Sequence, residues 1–449
     1  MRRCFGAPQN LVLLALVAAY FLQVVTPLRL HFDSIVLLSS AETAARGGGF
    51  LFHGQPTVFP PGYPALLALL MRLHIAYVWV LISINIVFLL IGLLALRFLL
   101  HPAILEKQAS VSTVCIFTLL STVVIGDFTI PLTDCCFFGV AMCSLAVMNS
   151  AYSRLTARKV ALSIALVVIS ICIRRIGVAL IPPLLWMISA QAEARLFVRH
   201  ASTGIKVARV AIIASVVVTI TWVVYKTSTL QDGLKELRLS GVDKLVHLPI
   251  WRLTELGEMT ANTPSVVLSP AVITSLLPFI GIVTASLIVA GMILHRKQFG
   301  VVDVFFVSYV AGILEWPFYS PRFWLPVLPL LIVYAGMPLK RLLRRDVHGS
   351  RLTFYAALVA TTAVATLFAL AGASLLAFTT AISLSGSRIG DVYHTGRYDV
   401  AYCAAGLCTH QVSDLSRLVD KSSKVDWLEE DGLRLLCEFK NGKLQRGDR

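Results

Sequence analysis

Apolar runs long enough to cross a bilayer recur along most of this 449-residue chain, and they constrain it more than any single motif. A spanning helix needs about 20 mostly apolar residues. Stretches of that kind lie near 10–27, 75–97, 109–126, 132–149, 160–173, 176–190, 207–225, 271–294, 301–317, 323–339 and 352–380. They predict an all-α polytopic membrane protein with about 11 transmembrane helices, because in lipid each helix satisfies its own backbone polar groups. The two short runs on either side of Arg174 and Arg175 also fit a tight hairpin that dips from one face and returns. Composition agrees. Charged residues make up 14% of the chain and hydrophobic residues 57%, against roughly a quarter charged in soluble domains. That excludes a soluble globular protein, and it excludes disorder, which needs low hydrophobicity.

The formal charge of +15, from 39 Lys and Arg against 24 Asp and Glu, invites a nucleic-acid partner until the charges are placed. One set of loops holds Arg2 and Arg3, Lys107, then Arg154, Arg158 and Lys159. It continues with Arg195, Arg199 and Lys206, Arg296 and Lys297, then Lys340, Arg341, Arg344, Arg345 and Arg351. The alternate short loops hold little positive charge, so the first set and the N-terminus are expected in the cytoplasm. Most of the charge therefore encodes topology, and no nucleic acid is expected. The first run has basic residues ahead of it and no small-x-small cleavage site before Pro27 and Leu28, which predicts an uncleaved signal-anchor. The expected organisation is a polytopic domain over 1–380, with exoplasmic loops 28–63 and 226–270, and a small exoplasmic tail domain over 381–449. The tail contains Cys403, Cys408 and Cys437. One disulfide among them suits an oxidising compartment, with the pairing open. The other cysteines sit in or near spans, where Cys acts as a small apolar residue.

Ionisable residues in or beside a membrane are rare and usually functional. Asp33 follows the first span, and Glu42 lies nine residues on. Residues 34–46 read as a short amphipathic helix at the membrane surface, with Ile35, Val36, Leu37 and Leu38 toward lipid or the bundle. Gly47-Gly48-Gly49-Phe50 breaks it, and Val58-Phe59-Pro60-Pro61-Gly62-Tyr63-Pro64 makes a stiff turn. Asp127 and Asp134 bracket a short turn. Asp134 also suits the first turn of the helix that follows, where the helix dipole favours an acid. Arg174 and Arg175 form a doublet on the exoplasmic side, against the charge bias, and Arg322 lies there too. Snorkelling to headgroups would accommodate the doublet, and Glu315 could pair with Arg322. The placement against topology favours a buried anion instead.

Carboxylates and three arginines on one membrane face suit a reaction on a lipid-linked phosphate. Arginine stays charged and offers a fixed fork of donors to a phosphate. A carboxylate within reach can take the proton of an attacking hydroxyl.

These segments also resemble a known family. Asp33 after the first span, Gly47-Gly48-Gly49-Phe50, and Phe59-Pro60-Pro61-Gly62-Tyr63-Pro64-Ala65-Leu66-Leu67-Ala68 look like the GT-C glycosyltransferase superfamily. The nearest branch is the dolichyl-phosphate-mannose protein mannosyltransferase-like group. Thr133-Asp134, the segment from Ile173 to Pro183 and the segment from Arg322 to Leu331 resemble its later motifs. The resemblance implies a GT-C fold, a polyprenyl-phosphate sugar donor and an exoplasmic glycan, lipid or protein acceptor. It gives the catalytic role to Asp33, with Asp134 and Glu42 as secondary acids. Arg174, Arg175 and Arg322 would bind the donor phosphate, and Pro61, Gly62 and Tyr63 would form a substrate loop. This chain has Asp33-Ser34 where many members have Asp-Glu, and Glu42 is a candidate for the missing acid. No cofactor is assigned; a divalent metal ion beside Asp33 and Asp134 is left open, because two separated carboxylates are too few to claim one. The absence of an Asn-x-Ser/Thr sequon fits a bacterial inner membrane. A transporter or lipid flippase would show midplane charge pairs and inverted repeats, and the sequence shows neither. A non-catalytic scaffold is the other alternative.

Overall fold

The computed structural model describes residues 8–26, 28–52, 54–100, 108–153, 156–196, 242–263, 268–314, 316, 318–343 and 351–385. The chain opens with α1 (Pro8–Leu22), α2 (Phe32–Ala45) and a short hairpin of β1 (Leu51–Phe52) and β2 (Gln55–Pro56). It continues with α3 (Gly62–Arg72), α4 (Val78–Leu100), α5 (Gln108–Leu119), α6 (Thr122–Asp127) and α7 (Thr133–Ser153). Then come α8 (Ala157–Ile173), a 3-10 turn (Arg175–Leu180), α9 (Ile181–Leu196) and α10 (Val242–Ala261). The described part ends with α11 (Leu277–His295), α12 (Val301–Leu314), a 3-10 helix (Pro321–Val327), α13 (Leu328–Leu342) and α14 (Arg351–Leu384).

Six helical stretches among the described residues are long and apolar enough to cross a membrane: Pro8–Val25, Val78–Leu100, Thr133–Ala151, Val272–Gln298, Pro321–Leu342 and Leu358–Leu384. Shorter apolar helices cover Ser110–Leu119, Arg175–Ser189 and Val301–Leu314. The expected span at 207–225, Glu315, and the tail with Cys403, Cys408 and Cys437 lie outside the described residues. The chain reads as a multi-pass membrane protein whose outer faces carry exposed large apolar side chains such as Phe98, Phe279 and Leu367.

Two expectations change. The apolar run at 109–126 is broken, since α5 ends at Leu119 and α6 begins at Thr122. Polar side chains take up the backbone groups freed by the break, as a buried helix end requires. The Tyr20 hydroxyl donates to the Leu119 carbonyl at 2.6 Å. The Asn262 amide donates to the Leu120 carbonyl at 2.8 Å and accepts from the Thr122 N–H at 2.7 Å. The second change concerns α2. Ile35, Val36, Leu37 and Leu38 are all buried. Four consecutive helical positions cover every side of a helix, so α2 is enclosed by the protein instead of lying on a surface.

Close backbone approaches bring the first loop to the rest of the bundle. α3 meets the end of α8 at Gly62, where an added Cβ would fall 2.6 Å from the Cys172 carbonyl oxygen. The chain then folds back on α8. A Cβ at Gly177 would fall 2.6 Å from the Ser170 carbonyl carbon. The 3-10 turn thus packs closely against the last turn of α8. Gly62→Ala is expected to destabilise the fold by about 1–3 kcal/mol, the usual range for overpacking. Thermal unfolding in detergent measures this, and an unchanged midpoint would mean that the α3–α8 contact yields easily.

Candidate functional site

Asp33 and Asp134 occupy equivalent places, each the second residue of a helix. His31 caps α2: its ring Nδ1 accepts from the Asp33 N–H at 3.2 Å, and the Ser34 hydroxyl accepts from the His31 N–H at 2.6 Å. This cap fixes the first turn and sets Asp33 where the helix dipole favours negative charge. Asp134 begins α7 after a turn that is pinned from α4. The buried Asn85 amide donates to the Phe128 carbonyl at 2.9 Å and to the Ile130 carbonyl at 2.7 Å.

The arginines come from segments far away in sequence. Arg322, in the 3-10 helix before α13, pairs with Asp33. Arg174, the extended residue that ends α8, pairs with Asp134. Both guanidinium groups lie against the ring of Phe323, with their central carbons 4.8 Å (Arg174) and 5.3 Å (Arg322) from its centroid. The Tyr309 hydroxyl donates to the Phe323 carbonyl at 2.9 Å. The first loop, α7, the end of α8 and the start of the last core helices thus meet at one end of the bundle.

Burial alone would raise the Asp33 carboxyl. Arg322, joined by His31 and Arg174, outweighs it and holds this group below the usual carboxylate range. Asp127 is the opposite case. It is buried, and its Oδ2 has no hydrogen-bond partner among the described residues. Burial, then the neighbouring Asp134 charge, push its carboxyl up to about 8, with Arg322 and Arg174 pulling the other way and Asp33 adding to the rise. Near neutral pH Asp127 is a neutral acid among charged neighbours. Two carboxylates with divergent environments mark a potential acid–base site.

A stability consequence follows from the raised value. Below about pH 4 Asp127 is protonated in both native and unfolded chains; between about 4 and 8 only the native chain keeps the proton. Its contribution to stability is therefore full below about pH 4 and is lost as pH rises toward 8. Asn cannot ionise in either state. The unfolding temperature of Asp127→Asn is expected to rise relative to wild type as pH is raised across that window. A gap that does not vary with pH would rule out a protonated Asp127.

The remaining expected site residues divide. Arg174 and Arg175 are adjacent but diverge: Arg175 donates to the Val58 carbonyl at 2.5 Å and so holds the loop ahead of the proline turn. Pro61 caps α3, and Gly62 packs on Cys172. Tyr63 is 1% exposed, and its hydroxyl has no hydrogen-bond partner among the described residues. Glu42 is not brought to Asp33. Nine residues along a helix are about 13 Å and half a turn apart, and Glu42 pairs with Arg46 within α2. Asn85 and Phe323 complete the site and were not expected in it; Asp127, noted only as bracketing the turn with Asp134, joins them. Asn85 had a signal, as an amide in the middle of an apolar run.

Asp33 and Asp134 are each taken by a guanidinium. Among the described residues, no group of three or more His, Cys, Asp or Glu is disposed to hold a metal ion.

No protein-family model matches the chain, and no curated protein matches it. Several solved structures resemble it. One is ArnT from Cupriavidus metallidurans bound to undecaprenyl phosphate, with 14% identity over 95% of this chain and 85% of that one and a TM-score of 0.48. Another is the oligosaccharyltransferase AglB from Archaeoglobus fulgidus in complex with an inhibitory peptide and a dolichol-phosphate. Its identity is 11% over 89% of this chain, with a TM-score of 0.47. A third is an Archaeoglobus fulgidus oligosaccharyltransferase in complex with Zn and sulfate, at 12% identity over 90% of this chain and a TM-score of 0.48. The chain spans 58% and 56% of the length of these two oligosaccharyltransferase chains.

Proposed function

We propose that this chain is an integral-membrane glycosyltransferase of the GT-C kind, in the protein mannosyltransferase-like branch. It would move a sugar, as a hexosyltransferase does, from a polyprenyl-phosphate donor to an exoplasmic glycan, lipid or protein acceptor. The observation that carries this reading is the pair of carboxylate–arginine contacts around Phe323, at one end of a bundle of apolar helices. A polyprenyl phosphate has its tail in lipid and its phosphate at the interface, which suits a charged cluster at the end of apolar helices. The basic residues of the alternate loops support an N-terminus in the cytoplasm, and in this reading the cluster would then face the outside of a bacterial inner membrane.

In this reading the donor phosphate enters between the arginines and competes with Asp33 for Arg322. Losing that guanidinium frees the carboxylate and raises its basicity. The acceptor hydroxyl oxygen then attacks the anomeric carbon, and its proton passes to Asp33. The bond from that carbon to the phosphate oxygen breaks, and its electron pair leaves with the polyprenyl phosphate. Attack opposite the leaving group inverts the centre. Arg322 and Arg174 stabilise the charge that grows on the phosphate, at a site partly closed to water, where such stabilisation is strongest. Protonated Asp127 adds a neutral hydrogen-bond donor close to them. Asp134 holds Arg174 in place, and Pro61, Gly62 and Tyr63 border the substrate loop.

The purified chain, reconstituted with undecaprenyl-phosphate sugars and cell-envelope acceptors, is expected to release undecaprenyl phosphate only when an acceptor is present. Failure to consume any lipid-linked sugar, together with failure to bind undecaprenyl phosphate, would overturn the reading.

A further inference from the structure

Arg322 sits in a short 3-10 helix, and its guanidinium lies against the Phe323 ring. Its Nε is buried without a hydrogen-bond partner among the described residues. Its terminal nitrogens meet Asp33 and, at 3.5 Å, His31 Nδ1. These contacts hold the tip of the side chain, and where that tip can reach depends also on how the backbone around Arg322 is held.

One carboxylate holds that backbone on both sides. Glu255 of α10 is fully buried. Its Oε1 accepts from the Ser320 backbone N–H at 2.6 Å, and its Oε2 accepts from the Trp324 indole Nε1–H at 2.7 Å. These partners lie two residues before and two residues after Arg322. Arg252, one turn away on α10, completes the grip. It donates to Glu255 Oε2 at 2.5 Å and to the carbonyls of Trp316 and Phe318 at 3.0 and 2.5 Å. The Tyr319 hydroxyl donates to Glu258 Oε2 at 2.5 Å. A buried ion pair is a poor route to stability, since well-packed apolar residues do as well. An apolar pair, however, cannot accept from a backbone N–H and an indole N–H at once.

We propose that Glu255 is a positioning residue that sets the Arg322 guanidinium against Asp33, acting through Ser320 and Trp324. The importance of Arg322 rests on the donor-phosphate reading above; the positioning itself does not, and it is tested without donor. Asp33 is faced by Arg322, His31 and Arg174, and its protonated fraction reports how closely Arg322 approaches.

The full chain in detergent is treated with a water-soluble carbodiimide at pH 6, and labelling of Asp33 is followed by peptide mass spectrometry. This reagent activates the protonated carboxyl. Trp324→Phe removes one grip and keeps the ring; Glu255→Gln weakens both. If Arg322 withdraws by enough to raise Asp33 by one pKa unit, labelling becomes about tenfold faster. That acceleration is expected in Glu255→Gln, with a smaller one in Trp324→Phe. Labelling of Asp303, buried elsewhere and bonded to the Tyr334 hydroxyl at 2.7 Å, should stay at the wild-type rate. Two results overturn the proposal: wild-type Asp33 rates in both variants, or Asp303 accelerating in step with Asp33, which would show general loosening. Neither depends on sugar transfer, so an inactive wild type would sink only the glycosyltransferase reading.

Discussion

Asp33→Asn is expected to lower kcat for sugar release by roughly 10²- to 10⁴-fold, the range that a positioned general base contributes. Asn keeps the size of the side chain and cannot accept the hydroxyl proton. The ion pair adds a second expected effect of opposite sign. Asp33 is the carboxylate that holds Arg322 in the resting site. Without its charge, Arg322 is available to the donor phosphate with no competitor. Undecaprenyl phosphate should therefore bind the variant more tightly than wild type while turnover collapses. Equilibrium binding and single-turnover sugar transfer, measured on the same preparation, separate the two quantities. Unchanged turnover would remove Asp33 from the chemistry. Weaker binding would show that the carboxylate orients Arg322 toward the phosphate instead of competing with it.

Arg322→Ala is expected to lower the rate by roughly 10²- to 10³-fold, the scale of losing one charge-stabilising donor in a closed site. It also changes the base. Burial works to raise the Asp33 carboxyl, and Arg322 is the largest influence that lowers it. Removing the guanidinium leaves burial less opposed, so the folded pKa of Asp33 rises. The direction is fixed: the base is lost as pH falls through its pKa, so the acid limb of the residual pH–rate profile moves to higher pH. Arg322→Lys keeps a charge and loses the planar fork, and an intermediate rate with a smaller shift is expected. The double variant with Asp33→Asn should be far less impaired than the product of the single effects, because residues that act as a unit are non-additive. Strict additivity would separate the two residues functionally.

The apolar runs were legible because helices in lipid satisfy their own backbone, so length and hydropathy alone mark them. The break at 120–121 was hidden for the complementary reason. The groups that satisfy it, Tyr20 and Asn262, lie about 100 and 140 residues away in sequence. Arg174, Arg322, Asp33 and Asp134 stood out as charges in unfavourable places, but their pairing depends on tertiary contacts that spacing does not contain. Glu42 misled because it lies near Asp33 in sequence; helical geometry turns it to the far side, toward Arg46. Glu255 falls within the expected exoplasmic loop 226–270, where nothing in the sequence singles it out. Only the meeting of α10 with the segment 316–324 makes it a fully buried acceptor.

The pairing of each guanidinium with its own carboxylate bears on which anions the site admits. Arg322 and Arg174 are balanced by Asp33 and Asp134, and Asp127 carries no charge near neutral pH. With Asp127 protonated, these five groups carry no net charge to draw in a small ion from water. Inorganic phosphate must displace a carboxylate that is already in place and brings nothing in return. A phosphate attached to a long hydrocarbon arrives with its own binding energy from the surrounding lipid, and that energy can open the pairs. In the proposed reading the resting site would therefore act as a filter, discriminating by what the phosphate is attached to before any sugar is read.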